Sequence, residues 1–159
     1  MTGIPMPSPR GPMIKDAPDH HDAELVLRLY DLRREASLRE ARRYITSEFW
    51  PASADELLAI SRNDHPGHVA MRQVSGYYEM AYGLARHGIV NPDYLVEYTG
   101  EGMFVLAKVH PWLAELRAAT FPTNLLNAEW LATHCDTGRE IFAAFRQRVQ
   151  KALAARKGA

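Results

Sequence analysis

HVAMRQVSGYYEMAYGLARH, residues 68–87, is the stretch that decides the fold. Val69, Ala70, Met71, Val74, Tyr77, Tyr78, Met80, Ala81, Leu84 and Ala85 recur at helical spacing and cover most of the circumference, while Arg72, Glu79 and Arg86 mark one narrow polar side. A helix that is apolar on most sides must pack against several neighbours, so this one reads as the centre of a helical bundle. Pro66 suits its first turn and Gly88 its C-terminal stop. Gly76 and Gly83 fall on nearly one face and cost helix propensity, which predicts a close backbone approach there.

Towards the N-terminus, Pro51 ends a preceding helix that opens at the acidic caps Asp19 to Asp22. Leu25, Leu29, Leu32 and Ala36 make one apolar stripe on it, and Leu27, Tyr30, Leu38, Ala41 and Ile45 make a second on roughly the opposite side, with a kink placed near Ser37. One stripe needs one neighbour and two need two, so this helix is expected to be covered on both sides, either inside the bundle or between the bundle and a partner chain. Ser53 or Asp55 caps a short helix through Leu57, Leu58 and Ile60. Before residue 19 stand Pro5, Pro7, Pro9, Pro12 and Pro18, half of the chain's 10 prolines, so residues 1–18 read as a disordered Pro-rich tail. Its PMPSPR stretch has the composition of a polyproline ligand, but a plain linker is the favoured reading.

Towards the C-terminus, Asn91, Pro92 and Asp93 give a capped start and Gly100 to Gly102 a turn. MFVLAKV continues as helix to His110 and Pro111, although Met103 to Leu106 alone is also compatible with a strand. The loop FPTN leads to Leu125, Leu126, Trp130 and Leu131. Thr137 with Glu140 matches a capping box for a last helix striped by Ile141, Phe142, Phe145, Val149 and Leu153. The fold class is therefore all-α: an irregular bundle of five to seven helices, one domain over residues 19–157, with the 68–87 helix at its centre.

Composition narrows the function classes. With 47% hydrophobic and 24% charged residues among 159, there is material for a real core. Lys plus Arg equals Asp plus Glu at 19 each, so no net field gathers nucleic acid or anionic lipid. The basic run Arg139, Arg146, Arg148, Lys151, Arg156 and Lys157 reads as the solvated face of a terminal helix, and neither a nucleic-acid nor a membrane partner is expected. Cys135 is the single cysteine, which excludes an internal disulfide and a cysteine zinc cage and suits a small buried hydrophobe. The N-terminus lacks the apolar run of a signal peptide, and no stretch approaches the roughly 20 apolar residues that cross a bilayer, so a cytoplasmic setting is expected.

The chain holds no phosphate-cradling GxxxxGK[ST] loop, no GxSxG elbow, no HExxH helix and no paired Glu-x-x-His motif. His65 and His68, beside Asp64, are the candidate metal ligands, yet they sit at a Pro-Gly loop that lacks the support a rigid site needs. No metal or cofactor is expected. Glu79 is the most informative carboxylate, because Tyr77, Tyr78, Met80, Ala81 and Tyr82 surround it and desolvation there raises a carboxyl pKa. Such a group suits either general acid or base work in a small-ligand pocket, with Arg72, Tyr82, Glu101 and His87 as polar contributors, or a structural ion pair.

GYYEMAYGLARHGIVNPDYLVEYTGEGMFVLAKVHPWLAELR, together with LVLRLYDLRREASLREARRYI, resembles a family of small bacterial helical proteins known only as a domain of unknown function, over roughly residues 22–120. The steps that carry the resemblance are Tyr78-Glu79-Met80, His87-Gly88, Gly100-Glu101 and Pro111 to Arg117. It implies a helical fold and a bacterial, cytoplasmic setting, and no activity, ligand or catalytic residue. The function expected from the residues is that of a non-enzymatic helical protein that forms a homodimer or binds a protein partner; the alternative is a ligand-binding or enzymatic pocket centred on Glu79.

Overall fold

A computed structural model describes residues 14–159, so the reading of residues 1–13, PMPSPR included, lies outside the described part. Nine α-helices follow one another among the described residues: α1 His20–Arg33, α2 Ala36–Ser47, α3 Ala54–Ile60, α4 His68–Arg86, α5 Pro92–Tyr98, α6 Glu101–Val109, α7 Leu113–Ala119, α8 Leu126–His134 and α9 Asp136–Lys157. A 3-10 turn, His110–Trp112, joins α6 to α7, placing Pro111 where its missing N–H costs nothing. The architecture is all-α as the periodicity predicts, but the expected five to seven helices are too few. One cause is that the long N-terminal helix is two.

The break falls at Arg34 and Glu35. The Glu35 carboxylate turns back to accept the amides of Ser37 at 3.1 Å and Leu38 at 3.0 Å, capping α2 and ending α1 two residues before the expected kink. Glutamate is an unusual N-cap, which is why the sequence conceals this start. Once the chain is cut there, the two stripes separate. Leu38, Ala41 and Ile45 of α2 turn inward against α4, whereas Leu27 and Tyr30 of α1 are 67% and 49% exposed.

Other termini follow local chemistry. Asp19 caps α1, Ser53 caps α3 while Glu56 reaches back to the amide of Ala52, and Asn91 caps α5 ahead of Pro92. Gly88 has φ 75°, the left-handed stop expected after α4. The capping box expected at Thr137 and Glu140 is not used. Cys135 is the N-cap of α9, and Asp93 of α5 accepts the Thr137 amide at 3.1 Å and the Cys135 thiol at 3.2 Å, so a tertiary carboxylate replaces the local one.

α4 packs against α2, α8, α5 and α6, with Met71, Val74, Tyr78, Ala81, Tyr82 and Ala85 buried. Its covering is less complete than the composition suggests, since Val69 and Met80 are 63% and 53% exposed. Gly76 faces open space, contrary to the expected close approach, while Gly83 admits the Asn127 amide to 3.0 Å of where a Cβ would stand. The element buried all round is α6, in which every residue from Gly102 to Val109 is buried between α9, α8 and α4. Gly102 allows this, because a Cβ there would collide with the Tyr82 hydroxyl and ring. Removal from water of side chains such as Met103 and Leu106 contributes about 1.5–3 kcal/mol each.

Candidate functional site

Glu79 is held by the start of α8. Leu125, at φ 57°, turns the chain so that the amides of Asn127 and Ala128 point at the Glu79 carboxylate, at 3.0 and 2.8 Å. The Asn127 side chain donates to the Glu79 carbonyl at 2.9 Å, so one residue clasps both ends of the glutamate. Burial pushes the carboxyl pKa up, while the two amides and the nearby Arg117 and Arg86 pull it down. Physically Glu79 is a tertiary N-cap, placing negative charge at the positive end of α8.

Glu101 lies on another side of α4, in a second cluster. It receives a two-pronged bond from Arg42 of α2, at 2.7 and 2.9 Å, and the Tyr78 hydroxyl at 3.0 Å. The pair is four-fifths buried, and Glu101 raises the guanidinium pKa of Arg42 further above its usual value. Tyr82 is fully buried and donates to the carbonyl of Thr99, and Tyr77 donates to the carbonyl of Leu29. Burial, followed by the charge of Glu101, pushes the Tyr78 phenol well up. The cluster ties α1, α2, α4 and α6 together.

The sequence-derived set therefore divides. Tyr82 and Glu101 belong to this cluster, Glu79 and Arg72 line a cavity on the other side of α4, and His87 is exposed at the α4 C-cap. They do not converge on one pocket. His65 and His68 part as well: His65 Nδ1 accepts the Gly67 amide at 2.9 Å, and His68 faces the cavity. Among the described residues no three His, Cys, Asp or Glu side chains are grouped to hold a metal ion.

Two concave features flank α4. The first is a tyrosine-lined groove of about 450 Å³ between α1 and α5, with Leu27, Tyr30, Tyr94 and Tyr98 on its walls and Tyr77 and Tyr78 from α4 at its base. Tyr98 is 55% exposed, and the Arg33 and Arg34 guanidinium carbons stand 4.8 and 5.9 Å from the centre of the Tyr30 ring. The second is a half-open cavity of about 710 Å³ between α4, the α3–α4 connection and the α7–α8 loop. His68, Arg72, Ser75, Gly76 and Glu79 form its α4 wall, one stripe at helical spacing, and the open side of Gly76 widens it.

Two buried charges escape a reading of the sequence. Asp22 is fully buried, where it accepts Lys15 at 2.6 Å and the Asn91 amide at 2.9 Å, joining the start of α1 to α5. Lys108 is 1% exposed, donates to the carbonyl of Ile45 at the end of α2, and sits 3.8 Å from the ring centre of Trp50 and 4.3 Å from that of Phe104. Burial, then the charge of Arg156, lowers its pKa from 10.5 to about 7. A lone lysine inside MFVLAKV was the available signal.

Residues 18–135 match the family described as Domain of unknown function (DUF4760). No curated protein and no solved structure matches the chain. Among the described residues no helix is long and apolar enough to cross a membrane.

Proposed function

We propose that this chain, which belongs to the family Domain of unknown function (DUF4760), is a non-enzymatic helical protein that self-associates through the exposed face of α1 beside the tyrosine groove. The observation that carries the reading is the uncovered half of the second stripe: Leu27 and Tyr30 stay at the surface although Ala41 and Ile45 of α2 are buried and Leu38 is half-buried. Tyr98 extends the same patch from α5. Aromatic and aliphatic anchors of this kind form the centre of protein interfaces.

A second copy is the occupant that the charges favour. A two-fold interface must be self-complementary. Glu24 lies one turn before Leu27 in α1, and Arg34, the α1 C-cap, lies one turn after Tyr30. Two α1 helices packed antiparallel therefore bring each Glu24 towards the other copy's Arg34, with Leu27 and Tyr30 between them. A chain with zero formal net charge opposes such pairing little. The 14-residue α1 is about 21 Å long, and with α5 beside it the patch is on the order of 500 Å² per copy, which suits a micromolar rather than a nanomolar dimer. The bacterial, cytoplasmic setting belongs to the same proposal and rests on the family resemblance.

Light scattering across micromolar concentrations tests it. Wild-type protein approaches twice 18.0 kDa with rising concentration, and Leu27→Glu holds it at 18.0 kDa without loss of helicity. A wild-type monomer at tens of micromolar, or an undiminished dimer in Leu27→Glu, removes the reading.

A further inference from the structure

We infer that the cavity on the far side of α4 binds a small ligand through an anionic oxygen group, carboxylate or phosphoryl, held by Arg72, His68 and Ser75. The inference is independent of the dimer, because the groove is lined from α4 by Tyr77 and Tyr78 and the cavity by the 68, 72, 75, 76 and 79 stripe.

Three observations carry it. First, both ring nitrogens of His68 and the hydroxyl of Ser75 are buried, and they have no hydrogen-bond partner among the described residues. Buried polar groups are nearly always satisfied, and three unpartnered atoms within two residues that line one cavity point to a ligand that reaches them through small side-chain rotations. Second, Arg72 stands between them on the same helical stripe, exposed to the cavity, with no carboxylate paired to it among the described residues. A guanidinium with a hydroxyl and an imidazole one turn to either side is a donor set for oxyanions.

Third, the charge inside the cavity is biased. Its lining includes no aspartate, and its glutamate, Glu79, already accepts the amides of Asn127 and Ala128 and stands about 10 Å along the helix from Arg72. The remaining polar lining, Asn63 and Thr123 among it, can also donate. At about 710 Å³ the space holds a small metabolite, and Gly76 keeps the wall between Arg72 and Glu79 low. Met71 and Phe121 supply the apolar contacts such a ligand would use beyond its charged end.

Titration of the full chain with sodium phosphate and, separately, sodium acetate, each against sodium chloride at matched ionic strength, tests the site. The imidazole NMR signals of His68 and the melting temperature are the readouts. A saturable response to either anion supports the proposal, and the preferred one identifies a phosphoryl or a carboxylate group. Arg72→Met and Ser75→Ala each weaken that binding roughly tenfold or more, while Arg72→Lys, which keeps the charge but loses the fork, falls between. The oligomeric mass of Arg72→Met is unchanged, which separates this result from the fate of the dimer. Responses no larger than those to chloride, or equal binding by Arg72→Met, overturn it.

Discussion

Replacing Lys108 with Met removes a charge that the fold holds out of water, and the consequence is a change in how stability depends on pH. Lys108 is 1% exposed and its pKa falls from 10.5 to about 7. Between those values the unfolded chain binds a proton at this residue that the native protein does not, so stability rises with pH. With 1.36 kcal/mol per unit, and allowing for half-protonation at the lower limit, the gain between pH 7 and pH 9 is about 2 kcal/mol, or roughly 4–8 °C in melting temperature for a domain of this size. Below pH 7 the native amine is also protonated and the slope from this group vanishes. The ammonium is held there by the Ile45 carbonyl at the negative end of α2 and by the faces of Trp50 and Phe104. Lys108→Met loses these, so at pH 6 its stability compares less favourably with wild type than its lack of a buried charge alone suggests. Denaturant titrations of both proteins at pH 6, 7, 8 and 9 measure the difference directly. Parallel curves for the two would refute the depressed pKa; a wild-type gain absent from Lys108→Met is the expected outcome.

Glu79→Ala strips the start of α8 of two carboxylate contacts and costs about 2–4 kcal/mol in denaturant unfolding, and Glu79→Gln costs less because one acceptor survives. A double-mutant cycle on Arg42→Ala and Glu101→Ala gives a coupling of about 1–3 kcal/mol, larger than an exposed pair, since both side chains are four-fifths buried. Gly102→Ala in α6 destabilises by about 1–3 kcal/mol by pressing on Tyr82, whereas Gly76→Ala in α4, facing open space, stabilises by about 0.5–1 kcal/mol; thermal melts of the two variants against wild type measure both.

What the sequence disclosed was chemistry that acts over a few residues. Asn91 with Pro92, Ser53 with Glu56, and Gly88 announce helix ends because each satisfies or stops the backbone locally. The α1–α2 break escaped because glutamate rarely caps, and α9 was miscapped because Asp93 reaches it from another helix. MFVL looked ambiguous because α6 is buried all round and shows no polar side to give a period. Glu79 was identifiable as a carboxylate among apolar residues and Glu101 as one at a Gly-Glu-Gly turn, but their partners, an α8 N-terminus and Arg42, are 48 and 59 residues away. Arg72 was in the expected set, yet it shares its α4 stripe with His68 and Ser75, and a serine in mid-helix carries no signal of an unsatisfied hydroxyl.

In the proposed dimer the face of α1 bearing Leu27 meets its own copy. Crosslinking of Leu27→Cys with a short bismaleimide probes this contact, since Cys135 is 3% exposed with its thiol pushed up to about 11 and so stays inert. A covalent species of twice 18.0 kDa is expected, forming faster than with Val69→Cys, a similarly exposed site on α4. Equal, slow crosslinking at both positions would contradict it.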